Sequence, residues 1–327
     1  MNDRAVSILE QYDLTVERTW KGRGSILFET GDGIRILKEY KGAPQRIVGI
    51  AGILEKIRQN GYEDMETILP NKEGEFFCTD YDGTIYVVKT YSQAKECNIR
   101  DKTEYLKGIR HLARLHNAME GVWEEEIPVP DKMPVLREFE KHNAELRCVR
   151  RYLKGKSQKS EFELYLQKYY DLFFERALTI RDDLQKEDVA SWYERMLQKR
   201  QLCHGDFQYH NILVDRDICY ITNFEKISVD SPVRDLYLFM RKLLEKNNWS
   251  VDVGNELLKI YNEERKLPKE EVLQLKYRFS YPDKFWKIVN YYFNSSKSWI
   301  SCKNSEKLEK ILEQEEAKNH LIRTMFS

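Results

Sequence analysis

One segment restricts the possible folds of this chain more than any other: residues 203–227, which read CHGDFQYHNILVDRDICYITNFEKI. Its first part, HGDFQYHN, places Asp206 and Asn211 five residues apart. Two β-favouring runs follow, ILV and ICYI, and the polar residues DRD between them predict a tight β-hairpin. The segment therefore predicts a polar loop followed directly by a hairpin, with an aromatic–acidic dipeptide after it.

The loop carries the residue types that phosphoryl transfer requires. That reaction needs a carboxylate to orient the acceptor hydroxyl, oxygen ligands for magnesium and a cation on the nucleotide phosphates. Asp206 would accept the hydroxyl proton and Asn211 would present its amide oxygen to magnesium, and the catalytic loop of protein kinases has the same five-residue interval. By themselves the two residues also fit an ordinary Asx-rich turn before a strand. The hairpin that follows favours the catalytic interpretation.

The end of the hairpin departs from the kinase pattern. A kinase places a magnesium-binding Asp just before the aromatic residue, and this chain has Asn223 there. Asn offers a carbonyl oxygen but no charge, and two unit charges ~4 Å apart attract by about 4 kcal/mol at an effective dielectric of 20. We therefore expect weakened metal binding. Glu225 could supply a substitute carboxylate, since alternate side chains of an extended segment share one side, or it could be a solvated charge.

The order of elements predicts an α+β chain with two lobes. The length of 327 residues fits two compact units. Residues 14–40 predict three antiparallel strands with a hairpin turn at Gly31-Asp32-Gly33, a helix follows over 44–60, and a second hairpin turns at Asp82-Gly83. Most of the remainder has helical periodicity. We predict a bilobal protein-kinase-like fold: a small antiparallel-sheet N-lobe and a larger, mainly helical C-lobe.

The expected lobe boundary lies early in the chain. The N-lobe would comprise residues 1–91 and the C-lobe residues 92–327, with the catalytic loop at 203–211 and the metal-site hairpin at 212–227. Pro128, Pro130 and Pro134 interrupt the helical pattern, whereas 160–200 predicts a charged helical hairpin.

Charge and cysteine content exclude several functional classes. Lys and Arg number 54, as do Asp and Glu, so nothing in the net charge favours nucleic acid or an anionic membrane. No apolar run approaches the ~18–20 residues of a membrane span. The six cysteines include no CxxC pair and no zinc-finger spacing, and they are expected to be reduced thiols. We expect a cytoplasmic protein that binds neither nucleic acid nor membrane.

Three segments carry a resemblance to a known superfamily. CHGDFQYHNILV, LARLH and VRDLYLFMRKLL resemble the aminoglycoside phosphotransferase/choline kinase superfamily. Within it, YITNFEK, the DLYLFMRK helix and the aromatic stretch YPDKFWKIVNYYF resemble the CotS-type spore coat proteins of endospore-forming bacteria. This resemblance implies ATP and Mg2+ as cofactors, a small-molecule or protein acceptor, and assembly into the spore coat with other coat proteins as partners.

The same resemblance implies roles for particular residues. Lys38, in IRILKEY, matches the strand lysine that binds nucleotide phosphates, although it could also be an exposed strand lysine. Glu55, in AGILEKI, is its expected helix partner, in preference to Glu63 and Glu66, which fall in a predicted loop. Gly22 and Gly24 could cover the phosphates with backbone N–H groups, or could simply form a hairpin turn.

Two further residues have structural interpretations. His116 lies on an apolar helical face and is expected to be a hydrogen-bonded core residue rather than a catalyst. Asp235 opens an amphipathic helix as its N-cap, or, as the resemblance implies, it holds the catalytic loop, and both roles can coexist.

Two functions stay open on the sequence. Asp206, Asn211 and Lys38 favour a kinase-like enzyme that transfers phosphate from ATP to a hydroxyl. Asn223 favours a structural spore coat protein with a kinase fold and weak or no catalysis.

Overall fold

The computed structural model describes residues 3–22, 24–294 and 301–326. The chain divides into two compact units: Met1–Val129 together with Lys199–Asp235, and Pro130–Gln198 together with Leu236–Ser327. The catalytic loop thus belongs to the same unit as the N-terminal sheet, which we call the cleft unit; the other is the helical unit. The boundary that we placed between residues 91 and 92 stays a prediction.

The cleft unit contains a six-stranded antiparallel sheet. Its strands are β1 (Arg18–Gly22), β2 (Ser25–Thr30), β3 (Gly33–Tyr40), β4 (Ile68–Leu69), β5 (Cys78–Thr79) and β6 (Ile85–Thr90). They are ordered β1-β2-β3-β6-β4, and β5 also pairs with β6. The three predicted strands and both predicted hairpin turns are confirmed, and Gly33 has the positive φ, 111°, that the first turn demands.

The two faces of this sheet differ in chemistry because side chains alternate along each strand. One face places Phe28, Leu37 and Val88 in a hydrophobic core with Ile8 of helix α1 (Asp3–Leu9). On the other face the β3–β6 register opposes Lys38 to Val87 and Ile36 to Lys89. That register directs two lysines to the same side of the sheet.

Two short sheets frame the catalytic loop. Strands β7 (Lys95–Glu96), β9 (Ile212–Val214) and β10 (Cys219–Ile221) form one, and β8 (Leu202–Cys203) pairs with β11 (Ser228–Val229) in the other. Ile212 pairs with Ile221 and Val214 with Cys219, so the predicted hairpin is confirmed. Short 3-10 helices cover Tyr209–Asn211 and Phe224–Lys226.

The described residues also contain eleven α-helices. After α1 they are α2 (Pro44–Gln59), α3 (Lys102–Met119), α4 (Pro134–Gly155), α5 (Glu161–Lys186), α6 (Val189–Gln198), α7 (Val233–Lys246), α8 (Val251–Glu264), α9 (Lys269–Ser280), α10 (Asp283–Asn294) and α11 (Ser301–Met325). The α+β class, with a small antiparallel sheet region and a larger helical part, is confirmed. In the described part of the chain, none of these helices is both long and apolar enough to cross a membrane.

Helix α4 was not expected from the sequence. Pro134 interrupts the periodic pattern, but it occupies the first turn of α4, where the missing N–H has no intrahelical partner in any case. The proline therefore begins the helix instead of breaking it. The adjoining α5 begins with a capping box, in which Ser160 and Glu163 satisfy each other's backbone N–H groups.

The cysteine expectation is consistent with the structure. Among the side chains that the structure describes, Cys78, Cys97, Cys148, Cys203 and Cys219 are free thiols. The side chain of Cys302 lies outside the described set.

Candidate functional site

The catalytic loop, residues 203–211, is held by a buried carboxylate. Asp235 accepts hydrogen bonds from the backbone N–H of His204 (2.5 Å) and of Gly205 (2.9 Å), and its Oδ2 lies 3.3 Å from His116 Nε2. Burial alone would raise the pKa of Asp235, but the His116 contact and nearby positive charges hold that pKa below its ordinary value. The core role of His116 is confirmed. Asp235 holds the loop and is not an N-cap, because α7 begins two residues earlier.

The loop lies directly against the segment that ends the hairpin, residues 223–226, which we call the turn. Gly205 has φ +80°, and a Cβ at this position would lie 2.1 Å from the carbonyl oxygen of Lys226. Only glycine allows both this backbone conformation and this approach. The loop and the turn are therefore fixed against each other at the level of the backbone.

Asp206 has the surroundings of an ionised but already paired carboxylate. Its Oδ2 lies 2.9 Å from Lys226 Nζ, and its Oδ1 accepts a 2.6 Å hydrogen bond from Gln208. Burial acts to raise the pKa of Asp206, but the hydrogen bonds from Lys226 and Gln208 lower it below the ordinary value. The sequence did not suggest this lysine partner.

The two asparagines of the predicted metal site are brought together. Asn211 donates to the carbonyl of Asp206 (2.7 Å), and its Oδ1 receives a long hydrogen bond, 3.4 Å, from Asn223 Nδ2. Asn223 is in the left-handed conformation, φ 69° and ψ 53°, which Asn tolerates better than most residues. Its Oδ1 is buried and has no hydrogen-bond partner among the described residues.

Glu225 is neither a solvated charge nor aligned with Asn223. The substitute-ligand hypothesis required extended backbone, and the structure instead forms a 3-10 turn after a left-handed residue. Glu225 Oε1 lies 2.7 Å from Lys38 Nζ and 3.1 Å from Lys89 Nζ. Burial opposes ionisation, yet the two lysines keep the pKa of Glu225 below its ordinary value. The same-side geometry that we expected for Glu225 is therefore wrong.

Lys38 lies on the cleft side of β3, but the prediction that Glu55 is its partner is wrong. The Glu55 side chain is 56% exposed and contacts Arg58 and Gln59 of its own helix. The ion pair of Lys38 is made with Glu225. The buried side chains of α2 are apolar, and Glu55 is not among them.

Sequence reasoning missed one charged residue of the cleft, Lys89, and set aside another, Glu66, as a loop residue. Lys89 is 3% exposed, and its Nζ lies 3.1 Å from Glu66 Oε1 and 3.1 Å from Glu225 Oε1. Glu66 Oε1 also accepts the backbone N–H of Phe224, so it ties the turn to the sheet (3.1 Å). Burial would lower the pKa of Lys89, but the two glutamates raise it above the ordinary value. A lysine inside the apolar run of β6, IYVVKT, was the available signal.

These groups line one cavity of about 670 Å³ within the cleft unit. Lys38, Lys89 and Glu66 come from the sheet side, and Asn211 and Asn223 from the loop and the turn. Gly22 also lines the cavity, whereas Gly24, with φ +70°, lies in the β1–β2 hairpin connection. Tyr91 and His210 are further lining residues. The volume is that of a small-molecule site.

The cleft does not match the donor set of a kinase magnesium site. Magnesium in such sites is held by an Asp carboxylate, the amide oxygen of the catalytic-loop Asn and phosphate oxygens. Here Asn211 and Asn223 offer neutral amide oxygens, and the carboxylates of Asp206, Glu225 and Glu66 are each ion-paired with a lysine. The unpartnered Asn223 Oδ1 could accept one ligand contact, but it brings no charge. The residues present therefore do not fit that metal.

Comparison with solved structures identifies the fold. An aminoglycoside phosphotransferase from Alicyclobacillus acidocaldarius is 17% identical, with a TM-score of 0.83 over 98% of this chain and 94% of that one. An amicoumacin kinase, solved in complex with AMP-PNP, Ca2+ and Ami, is 12% identical with a TM-score of 0.64, over 98% of this chain and 94% of that one. The fold is that of the kinase-like phosphotransferases, as predicted.

Sequence comparison identifies the family. Spore coat protein S of Bacillus subtilis (strain 168) is 22% identical over 309 residues, which cover 90% of this chain and 84% of that protein. A family model described as "Spore coat putative kinase YutH" matches residues 5–325, nearly the whole chain. The chain therefore belongs to this family of kinase-like spore coat proteins.

Proposed function

We propose that the cleft binds ATP and transfers its terminal phosphoryl group to a hydroxyl of a small-molecule or protein acceptor, in a protein associated with the spore coat. The proposal depends chiefly on Asp206. Its pKa is below the ordinary value, and Asp235 fixes the loop that carries it by accepting hydrogen bonds from two backbone N–H groups. In the transfer, a bond forms between the acceptor oxygen and the terminal phosphorus, and the bridging P–O bond to ADP breaks. Asp206 takes the hydroxyl proton.

The nucleotide would be held on the polar face of the sheet. Lys38 places a cation at the cavity, with a side chain that is 36% exposed and therefore accessible to phosphate oxygens. Gly22 and Ser25 line the same cavity at the β1–β2 hairpin, where backbone groups can approach the phosphates. The amicoumacin kinase of similar fold was solved with AMP-PNP, which supports a nucleotide ligand here.

Specific observations also favour a second candidate function. The ion pair between Lys226 and Asp206 occupies the carboxylate oxygen that would meet an acceptor, and Asn223 removes a charge from the metal position. A kinase-fold coat component that binds nucleotide without useful turnover fits both features. Family membership and similarity to spore coat protein S support coat association for either candidate.

Two measurements on the full chain test the proposal. ATP at 100 times its dissociation constant should stabilise the protein by about 2.7 kcal/mol in thermal or urea unfolding. Hydrolysis of ATP, with water as the acceptor, then reports phosphoryl transfer without knowledge of the natural acceptor. Asp206→Asn should abolish hydrolysis and leave ATP affinity within about threefold, because this residue acts on the acceptor.

The exposed hairpin residue Asp217 supplies the matched control, since Asp217→Asn makes the same chemical change outside the cleft. Absence of ATP binding would overturn the whole proposal. ATP binding without hydrolysis in the wild type would select the second candidate, and equal hydrolysis in wild type and Asp206→Asn would exclude Asp206 as the base.

A further inference from the structure

We propose that lysine side chains replace the magnesium ion in this cleft, so that the triphosphate of the nucleotide binds without a divalent cation. This inference rests on the nucleotide binding proposed above. Three lysines in and beside the cavity are ion-paired with the site carboxylates, and the position of the usual metal ligand is a neutral amide.

The charge balance of the site supports the replacement. A kinase site joins one lysine to a helix glutamate and adds the catalytic and metal-binding aspartates, so carboxylates are in excess until magnesium binds. In this cleft Lys38, Lys89 and Lys226 match the three carboxylates Glu66, Glu225 and Asp206. Glu96 of β7 also lines the cavity, as an exposed carboxylate. A triphosphate at the loop and the turn meets carboxylates that are each paired with a lysine, so the electrostatic need for a metal is reduced there.

The two sheet lysines have different roles: Lys89 pairs with the carboxylates, and Lys38 binds the phosphates. Lys89 is 3% exposed and contacts both Glu66 and Glu225, so a buried ammonium group balances the charge of those carboxylates. Lys38 makes one ion pair, with Glu225, and an ammonium group has three N–H donors. Donors of Lys38 remain for phosphate oxygens, and Lys38 and Lys89 line the same cavity.

The turn and the loop remove the remaining repulsion. Asn223 carries no charge and lines the cavity, so it does not oppose a phosphate as a carboxylate there would. Lys226 lies 2.9 Å from Asp206 and neutralises the carboxylate expected nearest the reacting phosphate. Asn223 and Lys226 therefore both make the site less negative than the kinase pattern would.

Titration calorimetry of ATP into the full chain tests the inference, because it measures the dissociation constant of ATP in EDTA and in Mg2+. The dissociation constant in EDTA should lie within about threefold of that in Mg2+. Asn223→Asp adds a negative charge without a change of size, and it should weaken binding in EDTA by about tenfold, with recovery in Mg2+. The matched control is Asn255→Asp on the exposed face of α8, which should behave as the wild type in both buffers.

A lysine variant tests the cations themselves. Lys89→Gln removes the charge and retains donors for both glutamates, and it should weaken binding in EDTA by about tenfold. If burial of an unpaired Glu66 prevents folding, Lys226→Met, at a side chain that is 65% exposed, is the second variant and should weaken binding in EDTA by about threefold.

The outcomes separate this inference from the proposed function. Binding that requires Mg2+, or an Asn223→Asp variant that binds ATP in EDTA as the wild type does, would overturn the inference while nucleotide binding stands. Absence of ATP binding in both buffers would overturn both.

Discussion

The loop and the turn of this chain are in contact through backbone and side chains, yet their side chains differ in how they are partnered. The loop is held from outside: Asp235 of α7 accepts from the backbone N–H groups of His204 and Gly205 and contacts His116 of α3, which fixes the backbone next to Asp206. In the turn, Asn223 has an unpartnered oxygen, and Glu225 is directed to the sheet lysines. Under the proposed function, the loop keeps Asp206 in position for an acceptor, while the turn has a neutral amide at 223 and pairs its carboxylate with lysines.

The largest effect is expected where the loop is held. Asp235→Ala removes a fully buried acceptor and leaves the N–H groups of His204 and Gly205 unsatisfied, with His116 beside them. The free energy of unfolding should fall by about 3 kcal/mol, which urea denaturation measures. Asp235→Asn retains one acceptor oxygen and should lose less. A loss below about 1 kcal/mol for Asp235→Ala would show that the loop is held by other contacts.

A second, smaller effect tests whether Lys38, which is paired with Glu225 of the turn, binds the nucleotide. Lys38→Ala removes the accessible cation of the cavity, and ATP binding should weaken by about tenfold, because a hydrogen bond to a charged group is worth about 1.5–3 kcal/mol. The fold should persist, since Glu225 keeps its contact with Lys89. Lys41→Ala is the control, at a side chain that is 84% exposed. Unchanged ATP affinity in Lys38→Ala would contradict the assignment of this lysine.

The sequence predicted the local features of the site and missed those that depend on long-range pairing. Hairpins, α2 and the loop follow from short-range patterns, and the spacing of Asp206 and Asn211 was sufficient to propose the site. The pairing of Lys89 with Glu66 was not visible, because Glu66 lies 23 positions before Lys89 in a stretch without regular periodicity. Glu225 was assigned to the wrong side because its backbone is a 3-10 turn, which no period-two rule describes.

The third prediction concerns acid pH and the pair between the turn and the sheet. The pKa of Glu225 is lowered in the folded state, so its ionised form contributes stability above the unfolded pKa, and that contribution is lost as pH falls through the folded pKa. Glu225→Gln should cost about 1 kcal/mol at pH 7, since Lys89 retains Glu66. Its stability should also fall less steeply than that of the wild type below about pH 4.5.

Urea denaturation at a series of pH values measures both effects. Glu55→Gln is the matched control, because this glutamate is exposed and contacts Arg58 and Gln59 of its own helix. Parallel stability curves for wild type and Glu225→Gln below pH 5 would show that the ion pairs with Lys38 and Lys89 contribute nothing to folding.

The smallest effect is expected where the turn reaches back to the loop. Hydrogen bonds from Lys226 and Gln208 lower the pKa of Asp206, and Lys226→Met removes the larger of these two influences. The pKa of Asp206 should then rise, and the acid side of the pH profile for ATP hydrolysis, measured at saturating ATP, should move to higher pH. The shift should be small, since the Lys226 side chain is 65% exposed and its charge is screened by solvent. Lys199→Met, at another exposed and ion-paired lysine of the same unit, controls for the loss of a surface charge. If the acid limb moves in Lys199→Met as far as in Lys226→Met, the contact between turn and loop does not tune the carboxylate, and the two regions act independently.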